Sequence, residues 1–372
     1  ILTLLTLAQG MIYDAQGMVF PGKAAVAETK LNEITRQFRE IVFDPLIRHF
    51  DGKTDLLVSM DGILNQLPLE ILPMPDSSYL VENYRITYLS TGRDILRHVQ
   101  PKETLQDVVI MADPDFNHGG DAFANGFSLP ASEDGLPASL AQILRGTGGC
   151  LEGPMGRLGY SLNEGKSVAA SFRKLSTRPV TEFYGSSASE GNLKRMGFSP
   201  SVLHLATHGY FCPNSGSLSE EYENPMLRAG LLLAGYNSTF EENLNGDDMT
   251  GEEDGVLTAY EVSALDLSGT ELVTLSACES GRSEGHSNEG FYGLRRAFQH
   301  AGAQSVIMSL WRIPDRETKI LMEGFYERWL SGASKQEALR QSQLSLLRTC
   351  RKEMGCAHPL LWGGFILTGN PD

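Results

Sequence analysis

The sequence predicts an α/β protein built on a mostly parallel sheet with helices on both faces. Two observations carry that expectation. Runs such as Val108 to Ala112, Val202 to Ala206 and Glu271 to Ala277 are largely apolar without the alternation of a half-exposed strand, as befits strands buried on both sides. Between such runs lie stretches whose apolar residues recur at helical spacing, which supplies a crossover helix between successive strands.

The elements follow in order. Leu31, Ile34, Phe38, Ile41, Val42, Leu46 and Ile47 mark one long helix between Ala24 and Phe50. Leu56 to Met60 reads as a strand ended by the turn Asp61-Gly62. Strands are expected at Arg85 to Leu89 and Val108 to Ala112, with a short helix around Asp94 to Val99 between them. From Asp115 to Gly156 glycine is frequent and apolar runs are short, so this stretch reads as a loop or inter-lobe linker. Helices at about 164–175, 190–196, 258–265 and 290–300 then alternate with strands at 180–184, 202–206, 231–233, 271–277 and 305–310. Two helices cover about 315–347. This division suggests an N-terminal helical segment (1–50), an N-terminal α/β lobe with a glycine-rich linker (51–156) and a catalytic lobe (157–372).

Composition removes several classes of function. With 31 basic and 46 acidic residues the formal charge is −15, which repels phosphate backbones and argues against nucleic acid as a direct partner. No run approaches the ~18 apolar residues of a membrane span. The apolar opening Ile1 to Ala8 lacks the basic lead-in and cleavage site of a signal peptide. A cytoplasmic protein is expected. Five cysteines, an odd number spread over a long chain, suit reduced thiols. The absence of an initial Met suggests a piece of something longer. Between Ala229 and Gly281 there is no Lys or Arg but eleven acids, among them Glu253, Asp254 and Glu279, which reads either as a solvated loop or as a cation-attracting rim beside a site.

Two strand ends finish on reactive side chains followed by small residues. One is Leu203-His204-Leu205-Ala206-Thr207-His208-Gly209, and the other is Leu275-Ser276-Ala277-Cys278-Glu279-Ser280-Gly281. If these strands are parallel neighbours, His208 and Cys278 open into one crevice at the carboxyl ends of the sheet. An imidazole beside a thiol lowers its pKa or takes its proton during attack, and can later protonate a leaving amine. The amides of Gly209 and Cys278 would face the developing oxyanion. Such a site needs no metal and no organic cofactor. The residues alone leave the alternative of a packed structural Cys and a capping His.

Other patterns are weaker. Gly159 to Ser167 has the wrong spacing for a phosphate loop and no strand before it. Asp248 stands where a calcium loop spanning 243–254 needs glycine. Ser171 and Lys174 have Ser-x-x-Lys spacing without a supporting motif. Cys350, Cys356 and His358, or His208, Cys212 and Cys278, lack paired Cys-x-x-Cys spacing for zinc. Cys212 is a rival nucleophile in a Pro-Asn-Ser-Gly loop.

At its histidine and cysteine motifs the sequence resembles the CHAT family, caspase-like domains often found downstream of tetratricopeptide repeats and related to separases and caspases. The likeness continues through Glu289-Gly290, Gly293-Leu294, Arg296-Ala297-Phe298, Ala301-Gly302-Ala303, Ser309-Leu310-Trp311, Leu321-Met322 with Phe325-Tyr326, Ala338-Leu339-Arg340, and His358-Pro359 with Trp362 and Phe365. Upstream, Asp61-Gly62 with Leu67-Pro68-Leu69-Glu70 fits too. Gly363-Gly364 departs from the more usual small pair after the tryptophan. The resemblance implies a caspase-like sandwich and a cysteine endopeptidase acting on a partner protein, with Cys278 as nucleophile, His208 as base and acid, and Gly209 and Cys278 as oxyanion donors. It implies regulation by a tetratricopeptide-repeat or other module, with a catalytically inactive interaction scaffold as the alternative. A third reading is a cysteine-based transferase or other acyl hydrolase. Glu279, Asp254 and Glu253 are candidate substrate contacts for a Lys or Arg before the scissile bond. No third group orienting His208 can be chosen, although a backbone carbonyl would serve.

Overall fold

The computed structural model describes residues 1–14, 23–97, 107–118, 153–211, 225–245, 253–279 and 289–372. Two helices open the chain, α1 (Leu2–Asp14) and α2 (Ala24–Val42), and pack on each other. The single helix expected to Phe50 is broken, because α3 (Asp44–Ile47) starts afresh with Pro45 in its first turn. A proline there lacks the N–H that would continue the preceding helix. Next come β1 (Asp55–Val58), α4 (Leu80–Asn83), β2 (Arg85–Tyr88) and β3 (Val108–Pro114).

The remaining elements alternate for the most part, with a helix at Tyr236–Asn245 and a strand at Val256–Thr258 added where the sequence pattern predicts no element. They are α5 (Ser161–Leu175), β4 (Val180–Gly185), α6 (Glu190–Lys194), β5 (Val202–Phe211), β6 (Ala229–Leu232), α7 (Tyr236–Asn245), β7 (Val256–Thr258), α8 (Ala259–Val262), β8 (Leu272–Glu279), α9 (Glu289–His300), β9 (Ser305–Ser309), α10 (Asp315–Leu330), α11 (Lys335–Met354) and β10 (Phe365–Gly369). Most of the expected glycine-rich loop, residues 119–152, lies outside the described residues.

Among the described residues ten strands form one sheet, in the order β1, β2, β10, β9, β8, β5, β3, β4, with β6 joined to β5 and β7 to β6. β3, β4, β5, β8 and β9 run parallel, as continuous apolar runs require. β10 is antiparallel to β9 and parallel to β2, so a strand from the end of the sequence joins the N-terminal strands to the rest. β3 lies between β4 and β5, and the sheet is therefore continuous across the boundary expected at residue 156.

Helices α5, α10 and α11 pack as one group, and α8 and α9 as another. The core between them includes Val109, Leu203, Val273, Val306, Phe172, Phe298 and Phe325, all fully buried. Each large apolar side chain so buried contributes roughly 1.5–3 kcal/mol. The N-terminal part is also tied down by polar contacts. Arg340 donates to the carbonyls of Val81 and Glu82, each at 2.8 Å, and Arg351 makes two 2.8 Å bonds to the Glu82 carboxylate. Trp362 packs at 5.0 Å from the Tyr79 ring. No helix among the described residues is long and apolar enough to cross a membrane.

Candidate active site

β5 and β8 are register partners from Val202↔Leu272 to Gly209↔Glu279, and within that ladder His208 pairs with Cys278. Neighbouring parallel strands lie about 4.8 Å apart, so the two backbones meet at one place on the sheet. The side chains of Cys278 and Glu279 lie outside the described residues, as do Cys150 and Cys212. Ser276, two residues before Cys278 and so on the same face of the sheet, lines a cavity together with His208.

The strand ends differ from expectation in one respect. β5 does not leave the sheet at His208 but runs on to Phe211, because its edge changes partner. β3 pairs with it as far as Ala112↔Ala206, and β6 takes over antiparallel from Leu232↔His208. Thr207 sits at the exchange and donates its hydroxyl to the Leu232 carbonyl. Gly209 therefore lies inside a strand, opposite Leu231, instead of at the start of a turn. Where β3 and β6 part, the sheet opens beside His208, which is the kind of crevice in which α/β proteins place their sites.

That opening supplies the orienting group the sequence could not identify. His208 Nε2 lies 2.8 Å from the carbonyl oxygen of Gly156. A carbonyl only accepts, so Nε2 carries the proton and Nδ1 is left as the basic nitrogen. The Phe116 ring lies against the imidazole, centroids 5.4 Å apart and planes 34° apart. Arg157, next to Gly156, forms a two-bond pair with the buried Asp113 at the end of β3, one bond at 3.0 Å and the other shorter. Asp113 itself has φ +52°, a left-handed conformation that Asp tolerates better than most residues.

Burial is the main influence on the His208 pKa and holds it below its ordinary value. The Gly156 bond opposes that shift, Arg312 adds to it and Asp315 opposes it. A neutral imidazole at neutral pH is what a general base needs.

The cavity beside His208 has a volume of about 40 Å³ and is lined by Ser161, Glu164, Thr207, Ser276, Asp315 and Thr318 among others. Glu164 and Thr318 are buried, and among the described residues Glu164 Oε1 and Thr318 Oγ1 have no hydrogen-bond partner. Glu164 Oε1 does come within 3.1 Å of His204 Nε2, but out of line for a hydrogen bond. His204 is a packed residue, as its mid-strand place suggests: its Nδ1 is 3.1 Å from the Tyr326 hydroxyl, which is 2.8 Å from Thr274 Oγ1.

Two of the acids singled out in the sequence lie elsewhere. Glu253 pairs with Arg195 at 3.0 Å. Asp254 is half-buried, and the desolvation of its carboxyl, with the nearby Glu261 charge, raises its pKa to about 7. Neither lines the cavity at His208. Cys350 and Cys356 are buried free thiols, and burial pushes Cys350 up to about 12, far from a nucleophile's range. Glu164, Asp315 and Gly156 carried no sequence signal. The first two sit on helices of ordinary composition, and the third acts through its backbone.

A family model described as CHAT domain matches residues 32–370. Tetratricopeptide repeat protein 28 of Homo sapiens is 30% identical over 179 residues, covering 45% of this chain. Its Mus musculus counterpart is 28% identical over 180 residues, again 45% of this chain. The aligned region is 7% of the length of each relative. Among solved structures, the Arg specific cysteine proteinase gingipain R aligns with TM-score 0.46 and 10% identity, over 91% of this chain and 67% of its own. The complex of Porphyromonas gingivalis RgpB pro- and mature domains aligns with TM-score 0.48 and 9% identity, over 91% and 69%.

Proposed function

The chain belongs to the CHAT domain family, and from that premise we propose that it is a caspase-like cysteine endopeptidase that cleaves a partner protein through Cys278 and His208. The observation that carries this reading is the register pairing of those two residues on adjacent parallel strands, with Nε2 of the imidazole tied to a carbonyl and Nδ1 left as base.

The chemistry then runs without a cofactor. Nδ1 takes the thiol proton as Cys278 sulfur attacks the scissile carbonyl carbon. The Cys278 amide is the proposed donor to the negative charge on the carbonyl oxygen; Gly209, expected to share that role, lies inside the β5 ladder and is already partnered, so it is not assigned to it. Collapse breaks the C–N bond, and the imidazolium passes its proton to the departing amine. A water, deprotonated by the same imidazole, attacks the thioester, and the thiol is regenerated as the acid leaves.

The residue before the scissile bond is proposed to be Lys or Arg, supported by the two carboxylates, Glu164 and Asp315, that among the described residues line the cavity at His208 against the single cation Arg312. Glu279 remains a proposed contact at the strand end, whereas Glu253 and Asp254 face Arg195 and the Lys194 cluster. The names of the relatives support an attached tetratricopeptide-repeat module as the regulator.

The deciding experiment incubates the chain with a candidate partner protein and with peptides carrying Lys or Arg before the cleavage point, beside Cys278→Ala and His208→Ala. Cys278→Ala should be silent, and His208→Ala should lose about 10²–10⁴ in rate. If all three chains behave alike, the interaction-scaffold reading replaces this one.

A further inference from the structure

We propose that Asn237 is a positioning residue for the dyad: this buried residue holds in place the two groups that, among the described residues, bond to or stack on the His208 imidazole, the Gly156 segment through its side chain and Phe116 through its backbone N–H. This rests on the cysteine–histidine reading above and adds a residue to it.

Asn237 is the second residue of α7 and is 3% exposed. Its Oδ1 accepts from the Met155 N–H at 2.7 Å, and its Nδ2 donates to the Met155 carbonyl at 3.0 Å. Taking both main-chain groups of one residue fixes that residue as a neighbouring strand would. Met155 immediately precedes Gly156, whose carbonyl accepts from His208. Nδ2 also donates to Asn117 Oδ1 at 2.8 Å, and the Asn237 backbone N–H donates to the Phe116 carbonyl at 2.8 Å. Phe116 is the residue whose ring lies on the imidazole. Both contacts of His208 are therefore at most one residue from a bond to Asn237.

The local chain is shaped for this approach. Gly235, with φ +96°, turns the backbone between β6 and α7, and its N–H donates to the Asp115 carbonyl at 3.1 Å. Ser238 adds a hydroxyl bond to the Asn117 carbonyl at 3.1 Å. The Asn237 side chain is uncharged, so its influence on His208 is geometric. The charged groups that act on the imidazole or line its cavity are Arg312, Asp315 and Glu164, with the Arg157–Asp113 pair beside the Gly156 carbonyl and Cys278 and Glu279 on the adjacent strand.

The test reads the thiol directly and needs no known substrate. Cys278 is alkylated with iodoacetamide from about pH 5 to about pH 10, and its modification is followed by peptide mass spectrometry. The chains are the unaltered protein, His208→Ala, Asn237→Ala and Asn237→Asp, each with its thermal melt recorded. Asn237→Asp keeps the acceptor for Met155 while losing both donated bonds, and it serves should the alanine chain not fold. The expected result is that Asn237→Ala slows alkylation at neutral pH by about tenfold to a hundredfold, toward the His208→Ala profile, with Asn237→Asp between. A folded Asn237 variant that keeps the unaltered pH profile while His208→Ala changes it overturns the positioning role and leaves the dyad standing. Coincident profiles for the unaltered and His208→Ala chains overturn both.

Discussion

His208 donates its Nε2–H to the carbonyl oxygen of Gly156 across 2.8 Å, and this bond decides which ring nitrogen is basic. In the Cys278→Ala chain, where no thiolate can pair with the ring, His208 should exist as the Nε2–H tautomer and titrate below its ordinary 6.5, since burial lowers it. A value lowered on folding means that the unfolded chain binds the proton first. The contribution to stability is intact above the unfolded value and is lost as pH falls through the folded one. Nitrogen-15 NMR of the imidazole would show both properties, and an Nδ1–H tautomer would refute the assignment.

Glu164 places a buried carboxylate in the cavity beside the imidazole. Replacing it with Gln keeps the volume and removes the charge. The ratio of cleavage after Lys or Arg to cleavage after Met should fall at least about tenfold, mostly through KM. Profiling a peptide library against both chains gives the ratio directly. An unchanged ratio would detach Glu164 from selectivity.

Tyr326 bridges the strands that carry His208 and Cys278, its hydroxyl reaching His204 on β5 and Thr274 on β8. Tyr326→Phe leaves both partners buried and unsatisfied, at a cost of about 1–3 kcal/mol. The urea midpoint should drop accordingly with the slope unaltered. A midpoint equal to that of the unaltered chain would mean that the bridge contributes nothing net.

Glu70 is fully buried, and burial raises its carboxyl to about 7 despite the 2.6 Å bond donated by Tyr88. The folded state therefore binds the Glu70 proton more tightly than the unfolded state does. This stabilisation is complete below about 4.5 and fades as pH rises toward 7. Glu70→Gln, which can still accept from Tyr88, should abolish that slope and make the chain the more stable of the two at pH 7 and above by up to a few kcal/mol. Urea titrations across this interval test it, and parallel curves for both chains would contradict the buried-carboxyl account.

The buried strands were readable because a continuous apolar run has few other uses, and Val108 to Ala112 and Val202 to Ala206 fall inside observed strands. His208 and Cys278 stand out by their places after such runs, and the ladder pairs them in register. What stayed hidden is non-local. That β6 continues the edge of β5 where β3 departs depends on strand order, which local periodicity does not encode. The break between α2 and α3 falls at Asp44-Pro45, and the apolar spacing that predicts one helix runs on across it. Gly156 acts through a carbonyl that every residue possesses, and Asn237 is one asparagine among many until the fold lays Met155 against it.

β10 has a consequence for how the molecule is made. It is an interior strand, flanked by β9 and β2, although its residues 365–369 are synthesised after every other strand of the described sheet. While those residues are still inside the ribosome, β2 and β9 lack their shared neighbour, and their unpaired edges remain open to other chains. Nascent copies would be safest with a chaperone in attendance until this final ribbon slots home.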